Sequence, residues 1–232
     1  MRFVPVLLIV IATSLVGSCS TNTAPQVKSI NEMTTDELIE YGLALVGPIQ
    51  LELADTLFFG KGLPKDYVAA LKLYENAGKQ GIAVAQFNAG FMYFKGHGAE
   101  RNYKEAIKWL RLAAKQNLPQ AQYSLAVSYD NGYGVIRDAE KAFKWYSLAA
   151  KQGDTASQYA IGSMYSHGEG VPQDIHSGLV WLNISALRGN QRARLMLDEF
   201  EKKLSQALIE RYRRSATEII ESTPSFKKKE TR

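Results

Sequence analysis

Three tryptophans, Trp109, Trp145 and Trp181, recur along the chain at a constant spacing of 36 residues. Several other residue types keep the same spacing, and an internal period of this length is typical of solenoids, propellers and repeat arrays. We therefore divide the chain into four units, 49–84, 85–120, 121–156 and 157–192. The other residues that share the spacing are Gly60/Gly62, Gly96/Gly98, Gly132/Gly134 and Gly168/Gly170; Asp66, Asn102, Asp138 and Asp174; and Ala77, Ala113, Ala149 and Ser185.

Each unit reads as two helices joined by a glycine turn, and the third unit illustrates the pattern: AQYSLAVSYDNGYGVIRDAEKAFKWYSLAAKQGDTA. We name the first helix of a unit helix A and the second helix B. The Gly-x-Gly pair ends helix A, because glycine adopts a positive φ without a Cβ clash. Asp138 is placed to cap helix B by accepting a hydrogen bond from its first-turn N–H groups. Ala142, Trp145 and Ala149 then share one helix face, which predicts that the indole is buried between helices.

This unit resembles the Sel1-like repeat, a relative of the tetratricopeptide repeat, whose pattern is A-x-x-LG-x-x-Y-x-x-G-x-GV-x-x-D-x-x-KA-x-x-WY-x-x-AA-x-x-G. Units two to four match the pattern closely, whereas unit one has Leu73 in place of the tryptophan and Leu57 in place of the helix A tyrosine. The resemblance implies an all-α fold, a right-handed α-solenoid of stacked antiparallel helix pairs, and a non-enzymatic role in protein interaction. The residues expected in the repeat core are Trp109, Trp145, Trp181, Tyr93, Tyr129 and Tyr165.

The segments that flank the repeats are predicted to cap the solenoid, because a terminal repeat lacks a neighbour on one side. Residues 34–48 are expected to form an N-terminal cap helix that starts near Thr34 and ends at about Val46. Residues 193–223 are expected to form C-terminal capping helices that break at Ser205 and cover the exposed core of unit four. Residues 224–232 are expected to be a disordered basic tail.

The first residues of the chain, MRFVPVLLIVIATSLVGSCS, read as a targeting signal. Arg2 precedes an apolar run that is too short for a convincing membrane span. Val16-Gly17-Ser18-Cys19 resembles a bacterial lipobox, which implies a lipoprotein signal peptide at 1–18 and a lipid on Cys19, the sole cysteine of the chain. Ser20 after the cysteine implies the outer membrane by the sorting rule of enteric bacteria. An ordinary cleaved signal or an uncleaved anchor is the alternative, and 19–33 is expected to be a flexible tether.

The charge of the chain argues against nucleic acid as the partner. The formal net charge is +5, and the segment from Glu201 onward carries nine Lys or Arg and five Glu, so it contributes +4. A nucleic-acid binder carries its positive charge along a recognition face, whereas here it lies mostly near the C-terminus. Weak contact with an anionic membrane surface remains compatible with this segment.

The sequence offers no constellation of residues for catalysis, a metal or a cofactor. The three histidines, His97, His167 and His176, are read as exposed turn residues, because a metal site needs three or four convergent ligands. Gly-x-Ser-x-Gly and a phosphate-binding glycine loop are both missing from the sequence. The Gly-x-Gly pairs recur four times between helices, so we interpret them as turns.

Variable positions of helix A are the predicted partner contacts, because in relatives of this fold helix A lines the concave side. Phe91 and Met92 are the sharpest candidates, since large apolar groups at variable positions suit a binding patch. The alternative is that both pack against helix A of the next unit. The full predicted set is Glu52, Asp55, Phe59, Asn88, Phe91, Met92, Lys95, Ser124, Val127, Ser128, Asn131, Ala160, Ser163, Met164 and His167.

Together these patterns predict a lipid-anchored adaptor of the bacterial cell envelope that binds a peptide, loop or helix of another protein. Roles implied by the resemblance are assembly of envelope or polysaccharide-export machinery and contact with a host factor. An envelope glycan binder is the alternative from another class, and clustered exposed aromatics with paired carboxylates in one cleft would favour it. A purely structural spacer is the third possibility.

Overall fold

The structure, a computed structural model, describes residues 33–226, and eleven α-helices account for most of them. No strand occurs within these residues, so the predicted all-α class is confirmed. The helices are α1 (Thr35–Leu43), α2 (Gly47–Phe59), α3 (Tyr67–Lys79), α4 (Ala83–Lys95), α5 (Tyr103–Lys115), α6 (Pro119–Asn131), α7 (Ala139–Lys151), α8 (Thr155–His167), α9 (Ile175–Leu187), α10 (Gln191–Glu201) and α11 (Gln206–Ser222); a 3₁₀ turn, Pro224–Phe226, follows.

The eight helices from α2 to α9 form four pairs, in which the even-numbered helix is helix A and the odd-numbered helix is helix B. Each of these helices has 13 residues. Helix A packs on its own helix B, and that helix B packs on helix A of the following pair. Because every pair touches mainly its sequence neighbours, the repeats stack as an α-solenoid, as the periodicity predicts.

The caps that the sequence predicts are present in every pair. Gly60, Gly96, Gly132 and Gly168 end helix A in the left-handed conformation, with φ between 72° and 78°. At the start of helix B, the side chain of Asp66, Asn102, Asp138 or Asp174 accepts a hydrogen bond from the N–H three residues later. These contacts satisfy backbone groups that would otherwise lack partners at the helix ends.

The second glycine of each turn has a role that the sequence alone does not reveal. A Cβ on Gly98 would lie 2.2 Å from the carbonyl oxygen of Tyr67, the first residue of the preceding helix B. Gly134 and Gly170 approach the preceding helix B in the same way, whereas a Cβ on Gly62 would meet nothing within 4 Å. The second glycine therefore allows one pair to stack closely on the pair before it, and Gly62 has no such pair to contact.

The three tryptophans lie at unequal depths, although the repeat predicts equal burial. Trp109 is 8% exposed, whereas Trp145 and Trp181 are half-buried. A Cβ on Gly78 would lie 3.0 Å from the Trp109 ring. The equivalent positions in the next two units carry Ala114 and Ala150. Because a methyl group at position 78 would press on the Trp109 ring, glycine there allows this indole to lie deeper. Tyr129 is buried, while Tyr93 and Tyr165 are half-buried.

A buried glutamine near the start of each helix A joins consecutive pairs, a contact that was not predicted from the sequence. Gln86 is 5% exposed, and its Nε2 donates to the carbonyl oxygen of Gly78 in the preceding helix B (2.9 Å). Its Oε1 accepts a hydrogen bond from Gln116 Nε2 at the end of its own helix B (2.8 Å). Arg188 replaces the donor glutamine of the fourth pair. The equivalent glutamine pairs are Gln50/Gln80 and Gln122/Gln152.

The N-terminal helix α1 stands in for a missing helix B. Thr34 and Glu37 form a capping box at its start, and it ends at Leu43, before the expected end near Val46. The carbonyl oxygen of Gly42 accepts a hydrogen bond from Gln50 Nε2 (3.0 Å), as Gly78 does from Gln86 one unit later. Since α1 also packs on α2 and α3, it covers the open side of the first pair.

The C-terminal end is more ordered than the sequence analysis expects. The chain breaks between α10 and α11, Ser205 precedes α11, and α11 packs on α9. The expected disordered tail begins at Pro224, but Pro224–Phe226 form a 3₁₀ turn and Phe226 is only 3% exposed. That part of the expectation is wrong, because the aromatic ring of Phe226 packs against Trp181 with centroids 6.2 Å apart. The signal 1–18, most of the tether 19–33 and residues 227–232 lie outside the described residues.

Candidate partner-binding surface

The predicted partner contacts lie on α2, α4, α6 and α8, but three of them are buried. Met92, Ser128 and Met164 are at most 4% exposed, so their assignment as surface contacts is wrong. These three residues occupy the same place in successive units, three positions after a buried residue of helix A (Ala89, Leu125 and Ile161). Residues three apart share a helix face, so this position points into the core whatever its side chain.

The other predicted contacts are accessible to different degrees. Phe59 is 52% exposed and Phe91 is 37% exposed, so both present large apolar surface to solvent. The further exposed members of the set are Glu52, Lys95, Asn131 and His167, and the half-buried members are Asp55, Asn88, Ser124, Val127, Ala160 and Ser163.

An apolar cavity of ≈ 290 Å³ brings part of the predicted set together. It lies between the first and second helix pairs, with Phe59 and Phe91 at its exposed edges and the buried Met92 at its floor. A cavity of this volume is at the lower end of the range found for ligand pockets, so it suits a single bulky group. Its lining residues are Phe58, Phe59, Tyr74, Phe87, Asn88, Phe91 and Met92.

Aromatic contacts fix the walls of the cavity. On α2, the rings of Phe58 and Phe59 meet edge to face with centroids 5.0 Å apart. On α4, Phe87 and Phe91 are one helical turn apart, with centroids at 6.4 Å. Because these pairs lie in the range of favourable aromatic contact, ring packing within each helix holds each wall in place.

A polar pair closes the side of the cavity that faces helix B. Tyr74, 1% exposed, donates a hydrogen bond to Asp55 Oδ1 (2.5 Å), and Asn88 Nδ2 lies 3.4 Å from the same oxygen. Burial, the hydrogen bond to Asp55 and the charge of that carboxylate together raise the pKa of the Tyr74 phenol far above its usual value. The phenol therefore remains a donor, and it ties the α2 wall to α3 instead of serving as an acid or base.

Two lysines stand at the rim of the cavity. Lys61 Nζ lies 4.8 Å from the centroid of the Phe59 ring, and Lys95 Nζ lies 5.9 Å from that of Phe91. Lys95 also lies 6.0 Å from the Phe94 ring. Neither lysine forms an ion pair with a carboxylate in residues 33–226. The rim is therefore positively charged while the interior is apolar.

The predicted contacts on α6 and α8 do not join this cavity. Their polar groups bond within their own helices: Ser124 Oγ donates to the carbonyl oxygen of Gln120 (2.8 Å), and Asn131 Nδ2 donates to that of Val127 (2.9 Å). His167 Nδ1 lies 2.9 Å from the carbonyl oxygen of Ser163. These polar members of the predicted set on α6 and α8 therefore bond locally, apart from the apolar cavity on the first two pairs.

Three lining residues, Phe58, Tyr74 and Phe87, were not among the predicted contacts. A signal for two of them was available, because five of the nine phenylalanines of the chain fall between residues 58 and 94. Tyr74 gave no such signal, since it belongs to helix B and reaches the cavity only through tertiary packing.

A second cavity, of ≈ 440 Å³, lies among α7, α8 and α9. Two residues predicted for the repeat core, Tyr165 and Trp181, line it and are half-buried for that reason. Its other lining residues are Phe143, Lys144, Ser147, Leu148, Lys151 and Ile161.

Residues 33–226 contain no group of three or more His, Cys, Asp or Glu side chains that could hold a metal ion. His97 was expected to be an exposed turn residue, but it is half-buried and stacks on Tyr67 with centroids 4.9 Å apart. His176 is also half-buried. Within the same residues, no helix has the length and apolar content that crossing a membrane requires.

Comparison with known proteins identifies the repeat. The family model of the Sel1 repeat matches residues 50–82, 83–118, 119–154 and 155–190. The last three matches begin two residues before our units. The difference reflects only where each repeat is taken to start within the same 36-residue period. A search of curated proteins gave no match.

Two solved structures resemble the chain closely. One is a protective antigen present in uropathogenic Escherichia coli strains that displays an SLR fold, with 37% identity, a TM-score of 0.65, and coverage of 66% of this chain and 33% of that chain. The other is a Sel1 repeat protein from Oxalobacter formigenes, with 33% identity, a TM-score of 0.62, and coverage of 72% and 66% respectively. The chain therefore spans a third of the length of the first protein and about two thirds of the second.

Proposed function

Because the chain belongs to the Sel1 repeat family, whose members are generally protein-interaction scaffolds without catalysis, we propose that this protein binds a segment of a partner protein on its helix A surface. The binding site is the apolar cavity between the first two helix pairs. A bulky apolar side chain of the partner enters between Phe59 and Phe91 and packs on the aromatic walls. The rest of the partner segment follows the helix A surface toward the polar residues of α6 and α8.

The exposure of Phe59 and Phe91 around an apolar cavity is the observation that carries this proposal. Isolated exposed apolar residues are ordinary on a protein surface, but aromatic residues gathered at a concave site are enriched where partners bind. Filling the cavity removes apolar surface of both proteins from water, which is the main favourable contribution to association.

Photo-crosslinking in the native envelope tests the site. A photoreactive amino acid at position 59 should give a discrete crosslinked product, and Phe91→Ala should reduce it strongly because one wall of the cavity is lost. The matched control is Leu112→Ala, which removes a large side chain, 46% exposed, from α5 outside the cavity. Circular dichroism should show both variants folded. A crosslink that persists in Phe91→Ala and is unaffected by Leu112→Ala would exclude this cavity as the binding site.

We further propose that the protein is anchored in the bacterial cell envelope, in the outer membrane facing the periplasm, by a lipid on Cys19. The support is the lipobox-like Val16–Cys19 sequence and Ser20 after it. Metabolic labelling with palmitate should mark the wild-type protein and leave Cys19→Ser unlabelled. A Cys19→Ser protein that still incorporates the label would contradict the anchor without affecting the binding proposal.

Glycan binding is the alternative from another class. Clustered aromatics around the cavity favour it, but none of the described residues that line the cavity carries a carboxylate, and the neighbouring Asp55 is engaged by Tyr74 and Asn88. Sedimentation with purified peptidoglycan or exopolysaccharide distinguishes glycan binding from protein binding. A glycan binder sediments with the glycan and no longer does so as Phe91→Ala, whereas a protein scaffold stays in the supernatant. A host-interaction role is a further alternative, since one relative is described as a protective antigen.

A further inference from the structure

The chemistry of the partner segment follows from the rim of the cavity. We infer that the cavity takes an acidic peptide segment, in which one bulky apolar side chain is flanked by carboxylates that pair with Lys61 and Lys95. This inference rests on the proposed function and adds the charge of the ligand to it.

The two lysines are specific to the cavity and are not part of the repeat pattern. The positions equivalent to Lys61 carry His97, Tyr133 and Glu169, and those equivalent to Lys95 carry Phe59, Asn131 and His167. Positive charge therefore appears at these two places only in the units whose helices form the cavity. Lys95 lies in the last turn of α4, where its positive charge also stabilises the helix through the helix dipole. Lys61 lies beyond the end of α2 and has no such role.

Both ammonium groups are already positioned at the cavity mouth. Each lies over the ring that forms one edge, Lys61 over Phe59 and Lys95 over Phe91, at distances typical of cation–π contacts. These contacts leave the remaining N–H donors of the ammonium groups free to meet a carboxylate. Because the lysines belong to successive helix pairs, they flank the apolar opening, and carboxylates on either side of one apolar residue complement them.

The nearby acidic groups do not remove this complementarity. Asp55 accepts the phenol hydrogen bond of Tyr74 and lies near the Asn88 amide, so its charge is turned toward these donors. Glu52 is exposed on α2, about one turn before Asp55 and seven residues before Phe59. Among the described residues, no carboxylate pairs with either rim lysine, so an acidic ligand would not have to displace an existing ion pair.

Selection of random peptides by display on the immobilised full chain tests the inference, with counter-selection against the Phe91→Ala protein. The enriched peptides should carry a phenylalanine, tryptophan or leucine with aspartate or glutamate close to it. The double variant Lys61→Gln/Lys95→Gln should weaken binding of an enriched peptide roughly 2- to 30-fold, the range expected for two exposed ion pairs. Binding should also weaken as the salt concentration rises. The matched control, Lys72→Gln/Lys115→Gln, removes two exposed lysines of α3 and α5 and should leave affinity unchanged.

The outcomes separate the two proposals. Enriched peptides that are apolar but neutral or basic, and that bind the Lys61→Gln/Lys95→Gln protein as tightly as the wild type, would overturn the acidic ligand and leave the binding site intact. A selection in which counter-selection leaves no peptide that prefers the wild-type protein to the Phe91→Ala protein would overturn both the acidic ligand and the cavity as the binding site.

Discussion

Replacing Gly98 by alanine should destabilise the protein far more than the same change at either of two matched glycines. All three positions have a positive φ: 77° at Gly98, 75° at Gly96 in the same turn, and 82° at Gly62 in the equivalent place one unit earlier. They differ in what an added Cβ meets. At Gly98 it would lie 2.2 Å from the Tyr67 carbonyl oxygen, at Gly96 the nearest atom would be 3.3 Å away, and at Gly62 nothing lies within 4 Å.

The magnitude has two parts. Alanine in the left-handed conformation costs about 1–2 kcal/mol, and this part is common to all three variants. A carbon–oxygen contact is normally at least about 3.3 Å, so at Gly98 the turn and α3 must move apart by roughly 1 Å. Such overpacking typically costs a further ~1–3 kcal/mol. We therefore expect about 2–5 kcal/mol for Gly98→Ala and about 1–2 kcal/mol for Gly96→Ala and Gly62→Ala.

Urea unfolding followed by circular dichroism measures these differences as shifts in the transition midpoint. Tryptophan fluorescence provides a second probe, because the pair before Gly98 contacts Trp109. Gly96→Ala is the stricter control, since it shares a unit, a turn and nearly the same φ with Gly98. Equal midpoint shifts for Gly96→Ala and Gly98→Ala would refute the reasoning, because backbone strain alone would then explain the glycine.

Three further predictions follow from buried side chains. Phe226→Ala should lower the free energy of unfolding by roughly 1–3 kcal/mol, which is less than the cost in a central core because a terminal segment can detach locally. Urea unfolding measures this loss. An unchanged transition midpoint would contradict the packing of the 3₁₀ turn on Trp181. Gln86→Glu buries a carboxyl group and raises its folded pKa above the unfolded value near 4.3, so stability should be retained at lower pH and lost as the pH rises, by up to about 1.4 kcal/mol per pH unit. The exposed Gln120→Glu on α6 is the control, and parallel midpoint–pH profiles of the two variants would contradict the prediction. Burial and the hydrogen bond to Glu201 raise the pKa of Tyr212 to about 12. The contribution of Tyr212 to stability should therefore be present below about pH 10 and lost between about pH 10 and 12. In Tyr212→Phe, the free energy of unfolding should depend less on pH over this interval.

The repeat, the helix pairs and their caps were predictable because each is encoded locally. A glycine that must adopt a positive φ and an aspartate that must cap a helix act within a few residues of their own position. The spacing of Trp109, Trp145 and Trp181 then shows that the same local solution recurs. The contacts of Gln86 with Gly78 and Gln116 were not predictable in this way, because they join three helices and a lone glutamine in a helix carries no signal of burial.

The candidate site was predicted in part. Phe59 and Phe91 were identified as variable, apolar helix A residues, and both are exposed at the cavity. Met92 was chosen by the same criterion but is buried, because variability of a residue type does not report which way the side chain points. Phe58 and Tyr74 also line the cavity, although neither is among the helix A positions predicted to contact a partner.

The sequence by itself determined the architecture: a repeating pattern of glycine turns, capping residues and apolar helix faces specifies stacked helix pairs, because these are short-range constraints that each unit satisfies alone. Tertiary structure decided how closely neighbouring units approach and what remains exposed. Gly78 and Ala114 differ by one methyl group, and only the packing of α3 against Trp109 turns that difference into a deeper tryptophan. In the same way, an apolar cavity exists between the first two pairs because two helices bring Phe59 and Phe91 to facing positions. The distance between these two walls is set by the packing of whole helices and not by any one segment of sequence.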